Sequence, residues 1–266
     1  MAYNFYDWNQ ALQQRNEYVA DRIKDGSPIV AVSFDDGILI LTLRTAQQRK
    51  VFDIYDRIIM GALGKQSDIE SLRLAAIDNT HKEGFERSPD DVSLQRLVGF
   101  ALSPAIKRVY NDQQTIPLTV RAVFAELGKT ADADHLFVLG FDGEFAVKKG
   151  VAVAAGNPVA ETEAEKILTE AQPATISDAL KAAITAWGVG KTTFTQPETK
   201  PGDRDRRDDD EDDDDAKPVT PEQSIRDLLA TGGTVEAGLL SRTTRRETKF
   251  RLLEAGEVEP LLVGYR

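Results

Sequence analysis

Two closely spaced pairs of short apolar runs limit what this chain can fold into. Ile29 to Phe34 and Ile38 to Leu43 are parted only by Asp35-Asp36-Gly37, and Lys50 to Tyr55 and Ile58 to Leu63 only by Asp56-Arg57. Apolar runs of this length bounded by turn residues read as strands, and Asp-Gly is hairpin chemistry. Neither pair alternates strictly between apolar and polar, so both faces of these strands must be covered. The chain therefore commits early to sheets buried inside layers. With 266 residues, 41% of them apolar, it is long enough to build that interior.

Helical text surrounds these strands. Asp7 followed by Gln10 reads as a helix start, and Trp8, Leu12, Val19 and Ile23 fall on one stripe before Gly26. A helix is predicted over Asp7 to Lys24, a second over Ser67 to about Lys82, and a third over Ser88 to Tyr110. Pro104 lies within the third and should kink or split it near Leu102. Strands return at Leu118 to Leu127, Leu136 to Gly140, Phe145 to Lys148 and Val151 to Ala155, then helices at Pro158 to Leu168 and Ser177 to Trp187. Thr220-Pro221 restarts a short helix, and Thr234 to Leu240 and Phe250 to Leu253 read as closing strands. Strands, helix pair, strands, helix pair, strands implies an α+β fold, a four-layer α-β-β-α sandwich.

Between the last helix pair and the closing elements, residues 191–219 are nearly all polar and include the acidic run Asp208 to Asp215. Such text reads as a disordered tether. The run holds eight of the 44 acidic residues, so much of the formal charge of -11 is concentrated there. That charge argues against nucleic acid or an anionic membrane as partner. The absence of cysteine removes disulfides, thiolate metal sites and cysteine nucleophiles, and two histidines, His81 and His135, are too few for a histidine metal centre. No cofactor and no metal are expected. No long apolar segment is present and Met1-Ala2-Tyr3-Asn4 lacks a secretion-signal layout, so a cytoplasmic protein is expected.

Several ordered segments resemble a known family. Asn16-Glu17-Tyr18-Val19, Gly26-Ser27-Pro28, Asp36-Gly37-Ile38-Leu39, and Lys50 through Ile58 are similar to the front half of actinobacterial-type 20S proteasome α subunits. The likeness continues through Gly64 to Arg73, Val120 to Gly128, Phe141-Asp142-Gly143 and Ser177 to Leu180. It covers about residues 7–190 well and 234–262 weakly. The resemblance implies the N-terminal-nucleophile hydrolase fold in a non-catalytic member. It also implies seven copies in an outer ring stacked on catalytic β subunits, with an AAA-type ATPase or other ring activator docking on the outside. Met1, Ala2, Tyr3, Asn4, Phe5 and Tyr6 would line the axial pore as a gate. Lys50 would pair with the activator's C-terminal carboxylate in a pocket shared with Glu17, Gly64 and Lys65. The Ser67 to Lys82 and Ser88 to Tyr110 helices would seat the β ring.

Catalytic relatives use a threonine freed as the N-terminus, whose amine activates its own hydroxyl. Here the matching residue is Ser27, preceded by a whole amphipathic helix, and the position of the partner aspartate falls on Leu43. Lys50 alone remains of that constellation, so no catalytic residue is expected. Two other readings stay open: an active peptidase processed at Gly26-Ser27, and a ring-forming relative that needs no β partner.

Gly188-Val189-Gly190-Lys191-Thr192-Thr193 has the residue types of a phosphate loop, yet the first required glycine falls on Thr185 and a helix precedes it. Arg242, Arg245 and Arg246 read as a salt-bridged turn, and Gly264-Tyr265-Arg266 has the look of a docking tail.

Overall fold

A computed structural model of the chain describes residues 5–45, 48–192 and 219–266. The first antiparallel sheet contains β1 (Ile29–Phe34), β2 (Gly37–Arg44), β8 (Val151–Ala154), β9 (Thr234–Ser241) and β10 (Phe250–Leu252), in the order β10-β9-β2-β1-β8. The second contains β3 (Val51–Tyr55), β4 (Ile58–Gly64), β5 (Val120–Glu126), β6 (His135–Leu139) and β7 (Phe145–Lys148), in chain order. Every pairing is antiparallel, and β1 meets β2 across the Asp35-Asp36 turn with Phe34 opposite Gly37.

Side-chain alternation explains why these strands read as unbroken apolar text. In β1 and β2, Val30, Val32, Leu39, Leu41 and Leu43 join a core under one helix layer, while Ile29, Ala31, Ile38 and Ile40 fill the space between the sheets. In β4 and β5, Ile58, Met60, Ala62, Ala122 and Phe124 face the other helix layer, whereas Ile59, Leu63, Val123 and Ala125 point inward. Both faces of these four strands are thus largely apolar, and polar side chains among them such as Ser33 and Thr42 are hydrogen-bonded. Gly61 marks the closest approach of the sheets, since a Cβ there would sit 2.5 Å from Ile29 Cγ2 and 2.8 Å from Ile40 Cγ2.

The outer layers complete the predicted four-layer sandwich. Over the first sheet lie α5 (Pro158–Ala171), α6 (Ile176–Lys191), α7 (Pro221–Ala230) and α8 (Ala255–Leu262). Over the second lie α2 (Gln66–Glu86), a short α3 (Leu94–Arg96), a π-helical segment Leu97–Leu102, and α4 (Ser103–Asn111). Pro104 lies within one helical run that continues from Leu94 to Asn111, with Arg96 and Leu102 both in right-handed helical conformation, and the π-helical segment just before it accommodates its missing amide. The kink or split expected near Leu102 is thus a π segment rather than a break, and the start differs too: Pro89–Asp91 forms a separate 3-10 turn and Ser93 Oγ caps α3.

The first helix, α1, spans Phe5–Ile23 and begins two residues before the expected start at Asp7. Asp7 therefore lies inside its first turn. Val19 and Ile23 are fully or nearly buried between the sheets, the former at 0% exposure. Each such side chain contributes about 1.5–3 kcal/mol. Gly26 N donates to Ile23 O at 2.8 Å, ending the helix and turning the chain into β1.

At the other end, Thr220 Oγ1 accepts from Gln223 N at 3.2 Å and caps α7, as its sequence predicts. β9 then pairs with β2 from Gly37↔Ser241 to Arg44↔Thr234, in the middle of the first sheet. The sequence reading placed no element after Phe250 to Leu253, yet α8 follows. Its first turn is closed by Glu257, which accepts from Glu254 N at 3.0 Å and from both Arg251 Nη atoms at 2.8 Å. Tyr265 packs against the core beneath α7 rather than standing out as a tail.

Arg242 is a buried bolt. It donates to both carboxylate oxygens of Asp134, at 2.7 and 2.9 Å, and to the carbonyls of Phe34, Asp35 and Gly128. Asp134 also accepts from Ser33 Oγ at 2.5 Å and Gly128 N at 2.8 Å. The pair joins β9 to the β1 hairpin and to the β5–β6 connection, tying the two sheets at one end. Arg245 and Arg246 remain exposed.

Candidate functional site

Ser27 lies between α1 and β1, so it is held from both sides. Its Oγ accepts from Trp187 Nε1 at 3.0 Å and donates to Leu43 O, while Thr42 Oγ1 lies 3.1 Å away. Thr42 Oγ1 itself bonds Pro28 O at 2.8 Å. Trp187 is fully buried in α6, so this network is fixed by core packing. The serine nitrogen is a peptide amide following Gly26, and the hydroxyl proton is already committed to a carbonyl. Nucleophilic chemistry at this place needs a free amine and an available hydroxyl, and here the hydroxyl is bonded to Leu43 O and Trp187 Nε1. Leu43 supplies only its backbone oxygen here.

Beside Ser27 opens a cleft of about 420 Å³. Its walls come from the end of α1, β2, the start of β3, β4 and the last turn of α6, with Asp25, Ser27, Arg44, Lys50, Gly64 and Lys191 among the lining residues. Lys50 precedes β3, and its amide donates to the Glu236 carboxylate at 3.1 and 3.3 Å. Val51 N is a second backbone donor at 3.2 Å, and Arg44 pairs with the same carboxylate at 2.7 Å. Glu236, from β9, is thereby occupied in pinning the backbone that carries Lys50.

The Lys50 ammonium has a pKa below the ordinary lysine value, first because of burial and second because of the nearby Lys191 charge, with Glu236 opposing. Lys191 is lowered too, by burial, and Asp25 opposes. Its Nζ donates to Asp25 O at 2.7 Å. Among the described residues no carboxylate forms an ion pair with either ammonium. Both lysines thus line one cleft in which burial disfavours their charged form.

Gly64 lines this cleft with φ of 130°, a conformation that side chains rarely take, and a Cβ there would strike Thr119 O. The sequence grouping of Lys50 with Gly64 is thus one place in space. Glu17 and Lys65 are not among the cleft's lining residues. Glu17 is exposed on α1 and accepts from Gln13 Nε2 at 2.9 Å; Lys65 is exposed, precedes α2, and its amide bonds Thr119 O at 2.8 Å. Phe5 and Tyr6 belong to the first turn of α1, while Met1, Ala2, Tyr3 and Asn4 lie outside the described residues, as does Asp208 to Asp215.

Lys191 escaped the sequence reading as a cleft residue. It stood in Gly188-Val189-Gly190-Lys191, and nothing local marks which way a lysine at the end of α6 faces. That segment is helix, not loop: a Cβ on Gly188 would lie 2.8 Å from Pro221 O, and one on Gly190 3.2 Å from Pro28. These glycines serve close packing. His81 and His135 are exposed, and among the described residues no group of three or more His, Cys, Asp or Glu could hold a metal ion. No described helix is long and apolar enough to cross a membrane.

Comparison with known proteins agrees with this geometry. The family model described as "Proteasome subunit" matches residues 23–190. A proteasome subunit alpha of Frankia alni is 27% identical over 254 residues, 95% of this chain and 92% of that protein. One from a Nocardioides species is 30% identical over 255 residues, 95% of this chain and 86% of that protein. Another, from Renibacterium salmoninarum, is 29% identical over 183 residues, 68% of this chain and 74% of that protein. The chain belongs to the proteasome subunit family and is of its bacterial alpha type.

Proposed function

We propose that the chain is a structural, non-catalytic subunit of a proteasome core, forming a seven-membered outer ring that admits substrates and docks an activator. The observation that carries the non-catalytic part is the state of Ser27: a mid-chain amide on one side, and a hydroxyl spent on Leu43 O and Trp187 on the other. The docking part is supported by the cleft, where Lys50 is held by Glu236 through its backbone and leaves its ammonium for an incoming carboxylate. An AAA-type ATPase or other ring activator would insert its C-terminal carboxylate there, beside Gly64, whereas Glu17 and Lys65, expected in the same pocket, stand outside the cleft's lining.

Seating of the β ring is assigned to α2 and the segment from Pro89 to Asn111. These elements carry Leu74, Phe85 and Phe100, large apolar side chains exposed at 51%, 93% and 74%. Met1 to Tyr6 form the pore gate, and occupation of the Lys50 cleft favours its open state.

The test uses the particle assembled with its β partner. Lys50→Ala is expected to abolish activator-stimulated protein degradation while hydrolysis of short peptides continues. Unchanged stimulation removes the docking role.

A further inference from the structure

Besides Ser27, whose hydroxyl is committed to Leu43 O and Trp187 Nε1, the cleft is lined by two amines, Lys50 and Lys191. A lysine becomes a nucleophile when it is desolvated or set beside another cation, because either condition favours loss of a proton and frees the nitrogen lone pair. Lys50 meets both conditions. Burial and the Lys191 charge hold its pKa down, while Glu236, which opposes them, is engaged by Arg44 at 2.7 Å and by the Lys50 and Val51 amides. Lys191 is better kept as an ammonium: burial is what lowers its pKa, Asp25 opposes, and its Nζ donates to Asp25 O at 2.7 Å. It also ends α6, where the helix dipole favours a cation. A neutral amine beside a retained ammonium suits attack on an electrophile that carries its own negative charge. The cleft, at about 420 Å³, has room for such a small molecule, with Gln48 and Gln66 adding neutral hydrogen-bonding groups.

We propose that Lys50 is an acylation site, modified by a small acyl phosphate whose phosphate group is held by Lys191. The Lys50 nitrogen forms a bond to the acyl carbon, the bond from that carbon to the bridging phosphate oxygen breaks, and its electron pair leaves with the phosphate. The proton lost by the amine passes to the departing phosphate. The products are an uncharged amide on Lys50 and inorganic phosphate, and nothing is oxidised or reduced. The reaction requires the cleft alone; its consequence, loss of the cation that meets an activator carboxylate, rests on the docking reading above.

The full chain is incubated with acetyl phosphate at neutral pH, and acetylation of each lysine is followed by peptide mass spectrometry. Lys50 is expected to react several-fold faster than the exposed Lys149 and Lys166. Excess inorganic phosphate should slow Lys50 and leave the two exposed residues unchanged. Lys191→Gln should likewise slow Lys50 alone, and Lys191→Arg, which keeps the charge, should preserve its rate. Acetylation of Lys50 no faster than that of Lys149 and Lys166, or a Lys50 rate unmoved by phosphate or by Lys191→Gln, overturns the proposal. Acetylated Lys50 with activator stimulation intact in the assembled particle supports the acylation site and removes the docking reading.

Discussion

Arg242 and Asp134 illustrate how much one buried pair can determine in this chain. Asp134 is wholly enclosed on its side chain, so removing the guanidinium strands a charge in the core. Arg242→Met should cost about 3–5 kcal/mol in urea denaturation, whereas Arg245→Met, on the exposed turn, should change little. From sequence the three arginines were equivalent, because the partner that distinguishes Arg242 lies 108 residues away. Lys50 carries the second residue-scale prediction. Burial first and the Lys191 charge second lower its pKa while Glu236 opposes, with Arg44 neutralised by Glu236 and Asp25 among the lining residues. Carboxylate binding requires the ammonium, so tail-peptide affinity should fall as pH rises, and the fall should begin below the ordinary lysine range. Affinity flat until that range is reached would mean that Lys50 is not the anion's partner. Lys50 itself was visible through its place in the family pattern, but Lys191 was not, since its role exists only where α6 ends against the cleft.

At the scale of elements, Gly61 sets how closely the two sheets meet. Gly61→Ala would force a methyl group against Ile29 and Ile40 and should cost about 1–3 kcal/mol by chemical denaturation. The strands were legible to within a residue or two because each is a short apolar run closed by turn residues, as in Ile29 to Phe34. Helix ends were less so. The helices α5 and α6 continue past the expected stops at Leu168 and Trp187; in α6 the extra turn packs Gly188 on Pro221 and Gly190 on Pro28, contacts the local text does not reveal. α8 was missed because Gly256 and Pro260 both argue against helix, while the Glu254 and Glu257 pair that starts it is short and easily overlooked. Pro104 was expected to kink or split its helix near Leu102, yet helical backbone continues on both sides of it, and the π turn that accommodates it could not be foreseen from periodicity alone.

On the scale of the whole molecule, the sandwich follows from chain-long alternation of apolar runs and helical stripes, and the functional assignment follows from what precedes Ser27. The apolar face of α2 and the π segment should matter only in assembly: Phe100→Asp, at a 74% exposed position, should leave the thermal midpoint nearly unchanged while preventing the ring from joining β subunits in native mass measurement. Retained thermal stability with normal joining would move the β contact elsewhere. The most direct test of the account is intact-mass analysis of the chain purified from particles assembled with its β partner. Retention of α1 ahead of Ser27, in material without peptidase activity of its own, is the predicted result. A mature chain that begins at Ser27 and cleaves peptides unaided would contradict it.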